Sequence, residues 1–245
     1  MDAYMEKVDR ELLAWNKKMT RKSPLLNRYA KGVQSRVNQM IPERVHQFLT
    51  TSIKNMVQAA IIGSAYTTKR QPIEGMPLEE RDRFVLDKIN YYKKLAMVEG
   101  AGTGAGGILL GIADFPLLLG IKMKFLFDVA SVYGFNVKEF KERLYILHLF
   151  QLTFSRDEKR IEIYQKVMKW EEEAYKLPSK EDYERDIDWK AFQMEYRDYI
   201  DLPKMLQMIP GFGALVGAYV NYHFLDALGE TAMNAYRRRI IEHHK

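Results

Sequence analysis

Apolar residues recur along this chain at steps of three and four. Tyr4, Val8, Leu12, Trp15 and Met19 form one stripe, and Val45, Phe48, Leu49, Ile53, Met56, Val57, Ala60 and Ile61 form another. Such spacing lines up side chains on one face of an α-helix. Ser23-Pro24 and Pro42 punctuate the first helices, and residues 67–77, with two prolines and a glycine, read as a loop. Helix resumes from Leu78 to Val98, with Val85, Ile89, Tyr92 and Leu95 along one side. Asn136 is placed to cap a helix over VKEFKERLYILHLF. Ser155 and Ser179 are further cap candidates, Ser179 with Asp182 three positions on. Residues 155–198 are charged on most faces and predict two exposed helices joined near Leu177-Pro178. No stretch alternates with period two, so the expected fold class is all-α, with essentially no sheet.

Residues 100–121, GAGTGAGGILLGIADFPLLLGI, hold a single charge, Asp114. As one continuous helix they would span roughly 33 Å, about one bilayer core. Asp114 and Pro116 argue against that reading. A carboxylate at the centre of a membrane helix costs about 2.5–3.5 kcal/mol, and proline removes a helical hydrogen bond. The glycines over 100–111 weaken a helix in water by about 1 kcal/mol each relative to alanine. The pattern predicts a glycine-rich helical hairpin over 100–133: a short helix to Ile112, a break capped by Asp114, then a helix from Phe115 to about Tyr133. A buried core hairpin or a re-entrant insertion fits better than a span. Gly100/Gly104, Gly102/Gly106 and Gly107/Gly111 recur at spacing four, which lets helix backbones approach closely. A second such segment, IPGFGALVGAYVNYHFLDALGETAM, carries Gly213 and Gly217, with Pro210 marking a helix start. The two segments are candidates to pack on each other as a pseudo-repeat.

At 245 residues with 47% hydrophobic content, the chain is long enough to bury a core and is read as one helical domain, 1–245. The absence of cysteine excludes disulfides, thiolate metal sites and cysteine nucleophiles. The start, MDAYMEKVDRELLAW, places acids early and lacks an apolar h-region, so the expected location is the cytoplasm. The formal charge of +6 is concentrated in the basic N-terminal helices, residues 1–66. Between Glu11 and Glu43 there is no acid, while Lys17, Lys18, Arg21, Lys22, Arg28, Lys31 and Arg36 all fall there. Lys17, Lys18, Arg21, Lys22 and Arg28 are therefore candidates to meet an anionic lipid surface; a solvated helix face without a partner is the plain alternative.

Little in the sequence asks for catalysis. Gly102-Thr103-Gly104-Ala105-Gly106-Gly107 satisfies G-x-G-x-x-G by letter, but it follows a helical segment rather than a strand, and the dinucleotide motif needs its βαβ context. There is no P-loop, no H-E-x-x-H and no G-x-S-x-G. No catalytic residue, metal site or cofactor is assigned. Asp114, Asn221 and His223 form a candidate polar site inside an apolar core. The structural reading of the same residues makes Asp114 a helix cap and Asn221 an interhelical hydrogen-bonding group. Arg237-Arg238-Arg239 has only Tyr236 beside it, too little for a base-stacking platform, and nucleic acid is not an expected partner.

Two stretches carry a likeness. Gly106-Gly107-Ile-Leu-Leu-Gly111-Ile-Ala-Asp114-Phe-Pro116, followed by Ile209-Pro210-Gly-Phe-Gly213-Ala214-Leu-Val-Gly217-Ala218-Tyr-Val-Asn221, resembles the EcsC family of bacterial proteins. The likeness is strongest over about residues 95–245. The family's founding member is encoded beside an ABC transporter made of an ATPase and a membrane subunit. The resemblance implies a cytoplasmic accessory protein at the inner face of the cell membrane, linked to such a transporter. It supplies no catalytic residues. Two other readings stay open: an enzyme with a buried site near Asp114, Asn221 and His223, and a structural protein-interaction module.

Overall fold

Each periodic segment forms a helix in the computed structural model, which describes residues 3–21, 43–62, 66, 68, 75–104, 114–155, 157–177 and 214–243. Among the described residues there are eight helices and no strand. They are α1 (Ala3–Thr20), α2 (Glu43–Ile62), α3 (Leu78–Gly104), α4 (Phe115–Tyr133), α5 (Phe140–Phe154), α6 (Asp157–Met168), α7 (Trp170–Lys176) and α8 (Ala214–His243).

α4 is the centre of the assembly. Its apolar residues point in every direction, and a helix with that pattern must be surrounded. Phe115, Leu119, Met123, Phe125, Leu126, Val129 and Ala130 are all fully buried. α2, α3, α5 and α8 supply the surround. Burying a Leu or Phe side chain contributes about 1.5–3 kcal/mol, so this helix anchors the fold. α1 is amphipathic instead: Val8, Trp15 and Met19 face inward and the rest is exposed or half-buried. The buried apolar residues form one contiguous cluster with contributions from all eight helices. No described helix is long and apolar enough to cross a membrane.

The ends of α4 are set by local chemistry. Asp114 is its N-cap residue, and proline sits in its first turn, where a missing N–H costs nothing. The Asp114 side chain makes no capping hydrogen bond, so it caps by position only. At the other end Gly134 takes φ 97°, and the Gly134 and Phe135 N–H groups donate to the Ser131 and Ala130 carbonyls. That closure needs a left-handed residue, which glycine adopts without strain. Arg81 of α3 donates to the Tyr133 carbonyl at 2.9 Å, satisfying another orphan acceptor.

α8 packs most extensively on α3, and also on α4, α5 and α1. The α3–α8 approach is close at one point. A Cβ placed on Gly229 would stand 2.7 Å from Cδ1 and Cγ1 of Ile89. A side chain there would have to displace Ile89.

Several boundaries differ from the sequence reading. α3 does not stop at Val98; it runs on through Gly100 and Gly102 to Gly104 as one 27-residue helix. Helix continuity from an already formed segment of nearly six turns outweighs the weak propensity of glycine. Residues 105–113, which hold the end of the first arm of the expected hairpin, and residues 210–213 lie outside the described residues. Asn136 does not cap α5. Its Oδ1 accepts from the Lys138 N–H and its Nδ2 donates to Glu139, closing a turn one step earlier, and Glu139 is the N-cap residue. Ser155 ends α5 rather than opening α6, and its hydroxyl donates back to the Gln151 carbonyl. The first charged helix of the 155–198 region breaks at Lys169, well before Leu177-Pro178. α6 and α7 are also not exposed all round, since Ile163, Tyr164, Val167, Trp170 and Ala174 are buried. Ser179 and the rest of 178–198 lie outside the described residues.

Candidate functional site

Asn221 sits at the start of the third turn of α8 and is fully buried. Its partner is Lys122, in the middle of α4, also fully buried. The Lys122 Nζ donates to Asn221 Oδ1 at 2.9 Å. No carboxylate pairs with this amine among the described residues, and burial pushes it down to about 7. Desolvation penalises an ammonium more than a neutral amine, and a carboxamide dipole only partly replaces lost water. A neutral buried amine can accept a proton or attack a carbonyl carbon. Sequence reasoning missed Lys122 because it followed the apolar run of 100–121 and read as a flanking charge. The available signal was its place between Ile121 and Met123, with apolar residues continuing on both sides.

The other two members of the expected polar site lie elsewhere. His223 is two residues beyond Asn221, which turns it roughly 200° around the helix. It is exposed and lines a groove of about 710 Å³ between α1, α3 and α8, together with Trp15, Lys18, Lys93, Asp226 and Glu230. Lys93 donates to Asp226 at 2.6 Å and lies over the Tyr222 ring at 3.9 Å. Lys18 pairs with Glu230 at 2.5 Å. Asp114 is half-buried, and its Oδ2 has no hydrogen-bond partner among the described residues. The structure joins Asn221 to Lys122 and turns His223 away from that bond.

Of the glycines at packing spacing, Gly100 and Gly104 lie in the last turns of α3 and Gly217 in the first turn of α8. Gly107, Gly111 and Gly213 lie outside the described residues, as do Lys22 and Arg28. Lys17, Lys18 and Arg21 are exposed at the end of α1.

Two buried ionic clusters were not foreseen. Asp82 is 2% exposed and accepts from Tyr133 at 2.5 Å, from Tyr4, and from Arg237 Nε at 2.8 Å. Arg237 also donates to Glu11 at 2.7 Å, so four helices meet at one carboxylate–guanidinium pair. Burial and the Asp82 charge push the Tyr133 hydroxyl well above its ordinary value. In the second cluster, buried Glu142 accepts from Tyr236 at 2.6 Å and from Arg239 at 2.8 Å. Arg239 reaches Glu171 at 3.0 Å and stacks over Phe135 and Tyr145. Burial raises the Glu142 carboxyl, and the Arg239 charge only partly opposes it. The basic run Arg237-Arg238-Arg239 is thus largely internal: two of its three side chains are buried in ion pairs, and Arg238 pairs with Glu242 at 2.7 Å. No group of three or more His, Asp or Glu among the described residues is placed to hold a metal ion.

Comparison with known proteins places this arrangement in a family. The chain matches the family model described as the EcsC protein family over residues 6–241. It is 44% identical over 232 residues to Protein EcsC of Bacillus subtilis (strain 168), a match covering 95% of this chain and 94% of that protein. It is 35% identical over 152 residues to Uncharacterized protein YdbA of the same organism, covering 61% of this chain and 54% of that protein. No solved structure matches. The chain belongs to the EcsC protein family.

Proposed function

We propose that this EcsC-family chain is a cytoplasmic accessory protein held peripherally at the inner face of the cell membrane, where it works beside an ABC transporter. The outer face of α1 supports the membrane part of the reading. Arg10, Leu13, Lys17 and Arg21 follow one another at helical spacing opposite the buried Val8, Trp15 and Met19, and Leu13 is 68% exposed. The acid-free sequence continues from there to Glu43. Each basic residue near an anionic leaflet contributes about 1 kcal/mol, and a single apolar side chain dipped into the interface adds to it. Lys18 is the exception in this set, since Glu230 holds it. The transporter part rests on the family resemblance.

Flotation with anionic vesicles tests the proposal. The wild type is expected to float at low salt and to be largely released as salt rises. Lys17→Glu, Arg21→Glu and Lys22→Glu together should weaken flotation sharply. A wild type that stays with the soluble fraction at low salt rejects a peripheral electrostatic role.

A second reading, an enzyme with an internal site, is favoured by the Lys122–Asn221 bond. It requires a reactive amine in the core. Treatment with a small aldehyde and borohydride would then label Lys122 ahead of the exposed lysines, and labelling that spares Lys122 removes this reading.

A further inference from the structure

Asp128 gathers four donor groups around one carboxylate. It is 7% exposed and lies on α4. Oδ1 accepts from Thr68 and from Lys124, and Oδ2 accepts from the Tyr92 hydroxyl at 2.7 Å. Lys88 of α3 then stands 3.8 Å from Oδ2, inside ion-pair range but beyond a hydrogen bond. Burial alone would raise the Asp128 carboxyl, but the Lys124, Thr68 and Tyr92 hydrogen bonds outweigh it and hold the group below its ordinary value. One negative charge thus faces two ammonium groups that are each about a third exposed. The cluster carries a net positive charge, and the Lys88 ammonium keeps donors to spare.

Exposed apolar side chains share the two helices that carry these lysines. Phe84, Lys88 and Tyr91 follow at i, i+4 and i+7 on α3, and Leu117 stands seven residues before Lys124 on α4. Phe84, Tyr91 and Leu117 are 42%, 61% and 51% exposed. Large apolar side chains left in water around a pair of cations fit the boundary of a bilayer, where rings sit at headgroup level and lysines meet phosphate.

We propose that Lys88 and Lys124, gathered over Asp128 and flanked by Phe84, Tyr91 and Leu117, form a binding site for the phosphodiester headgroup of an anionic phospholipid. The site rests on the peripheral membrane reading and gives it a specific contact that does not involve α1. The phosphodiester oxygens bridge the two ammoniums, and the exposed rings and Leu117 take the interfacial layer.

The test uses the full chain and vesicles of equal parts phosphatidylglycerol and phosphatidylcholine, with pure phosphatidylcholine as reference. Replacing Lys88→Gln and Lys124→Gln together should weaken binding by roughly 30-fold, at about fivefold per basic residue near the surface. Lys88→Arg with Lys124→Arg should retain binding, which separates loss of charge from loss of fold. Tyr91→Ser with Leu117→Ser should remove the part of the binding that survives high salt. Equal binding by wild type and the double Gln variant overturns the site while leaving the α1 reading intact. No binding by the wild type overturns both. Full displacement by inorganic phosphate identifies a free-anion site and overturns the lipid assignment.

Discussion

Lys122 and Asn221 stand 99 residues apart in sequence, and one hydrogen bond of 2.9 Å joins them inside the core. Neither side chain reaches solvent. The bond links α4 to α8 through the only polar contact that the Lys122 amine makes among the described residues, and it makes the core sensitive to pH.

The sign of that sensitivity follows from burial. The folded chain holds the Lys122 amine at about 7, below the ordinary lysine value of 10.5. Between those limits the unfolded chain binds the extra proton, so stability rises with pH across that window and levels off at each end. Lys122→Met with Asn221→Leu should remove this slope and raise stability at pH 7 by a few kcal/mol. Lys122→Met alone should gain less, because the buried Asn221 carboxamide loses the donor that Lys122 supplies. Urea unfolding at pH 7 and pH 9 reads both effects. A slope that persists in the double variant would place its origin elsewhere.

Asp82 and Arg237 behave differently, because each is the other's counter-charge at 2.8 Å. Removing Asp82 leaves the buried guanidinium with Glu11 still beside it, so the loss falls toward the lower end of the about 3–5 kcal/mol that breaking a buried pair costs. Asp82→Leu should therefore destabilise strongly, and adding Arg237→Met should recover much of the loss. A double-mutant cycle by thermal unfolding measures the coupling. Additive losses would mean that the pair does not act as a unit.

Gly229→Ala should cost about 1–3 kcal/mol, the range for overpacking a filled contact. The new methyl meets the Ile89 side chain. In an Ile89→Ala background the same methyl should cost little, although Ile89→Ala is itself destabilising. Equal penalties in both backgrounds would show that another contact limits position 229.

His148 packs against Trp170 with ring centroids 5.6 Å apart, and burial lowers its ring to about 4 from 6.5. The unfolded chain takes up a proton at the ordinary histidine value while the folded chain stays neutral. Stability should therefore fall as pH drops through that window, and flatten below it. NMR titration of the ring should show no protonation at pH 6. A midpoint near the ordinary value would contradict the packing.

Much of the fold was legible because helical periodicity is local. The buried face of α1 at Val8, Trp15 and Met19, and the start of α4 at Asp114-Phe115-Pro116, follow from spacing and from proline's place in a first turn, although Asp114 makes no capping hydrogen bond. The break at Lys169 was not legible, since neither proline nor glycine marks it. The buried polar groups were the hardest to read. Asn221 could be singled out as a polar group in an apolar run, but its partner lies 99 residues away. Arg237 read only as one of three successive basic residues because Asp82 and Glu11 are 155 and 226 residues distant. Pairing at such separations leaves no mark on local pattern; it is decided by which helices pack together.

α8 supplies Asn221 to Lys122, Arg237 to Asp82 and Arg239 to Glu142. A ribosome makes it after every other described helix. Until it emerges, Asp82 and Glu142 lack the guanidinium groups that neutralise them, and α3 and α4 lack their largest shared neighbour. The nascent chain must therefore wait, with an apolar α4 already synthesised, and its exposure to chaperones is set by the time needed to translate the segment between Lys176 and Arg239. Slowing translation there should lower the yield of folded protein more than slowing it between α1 and α2.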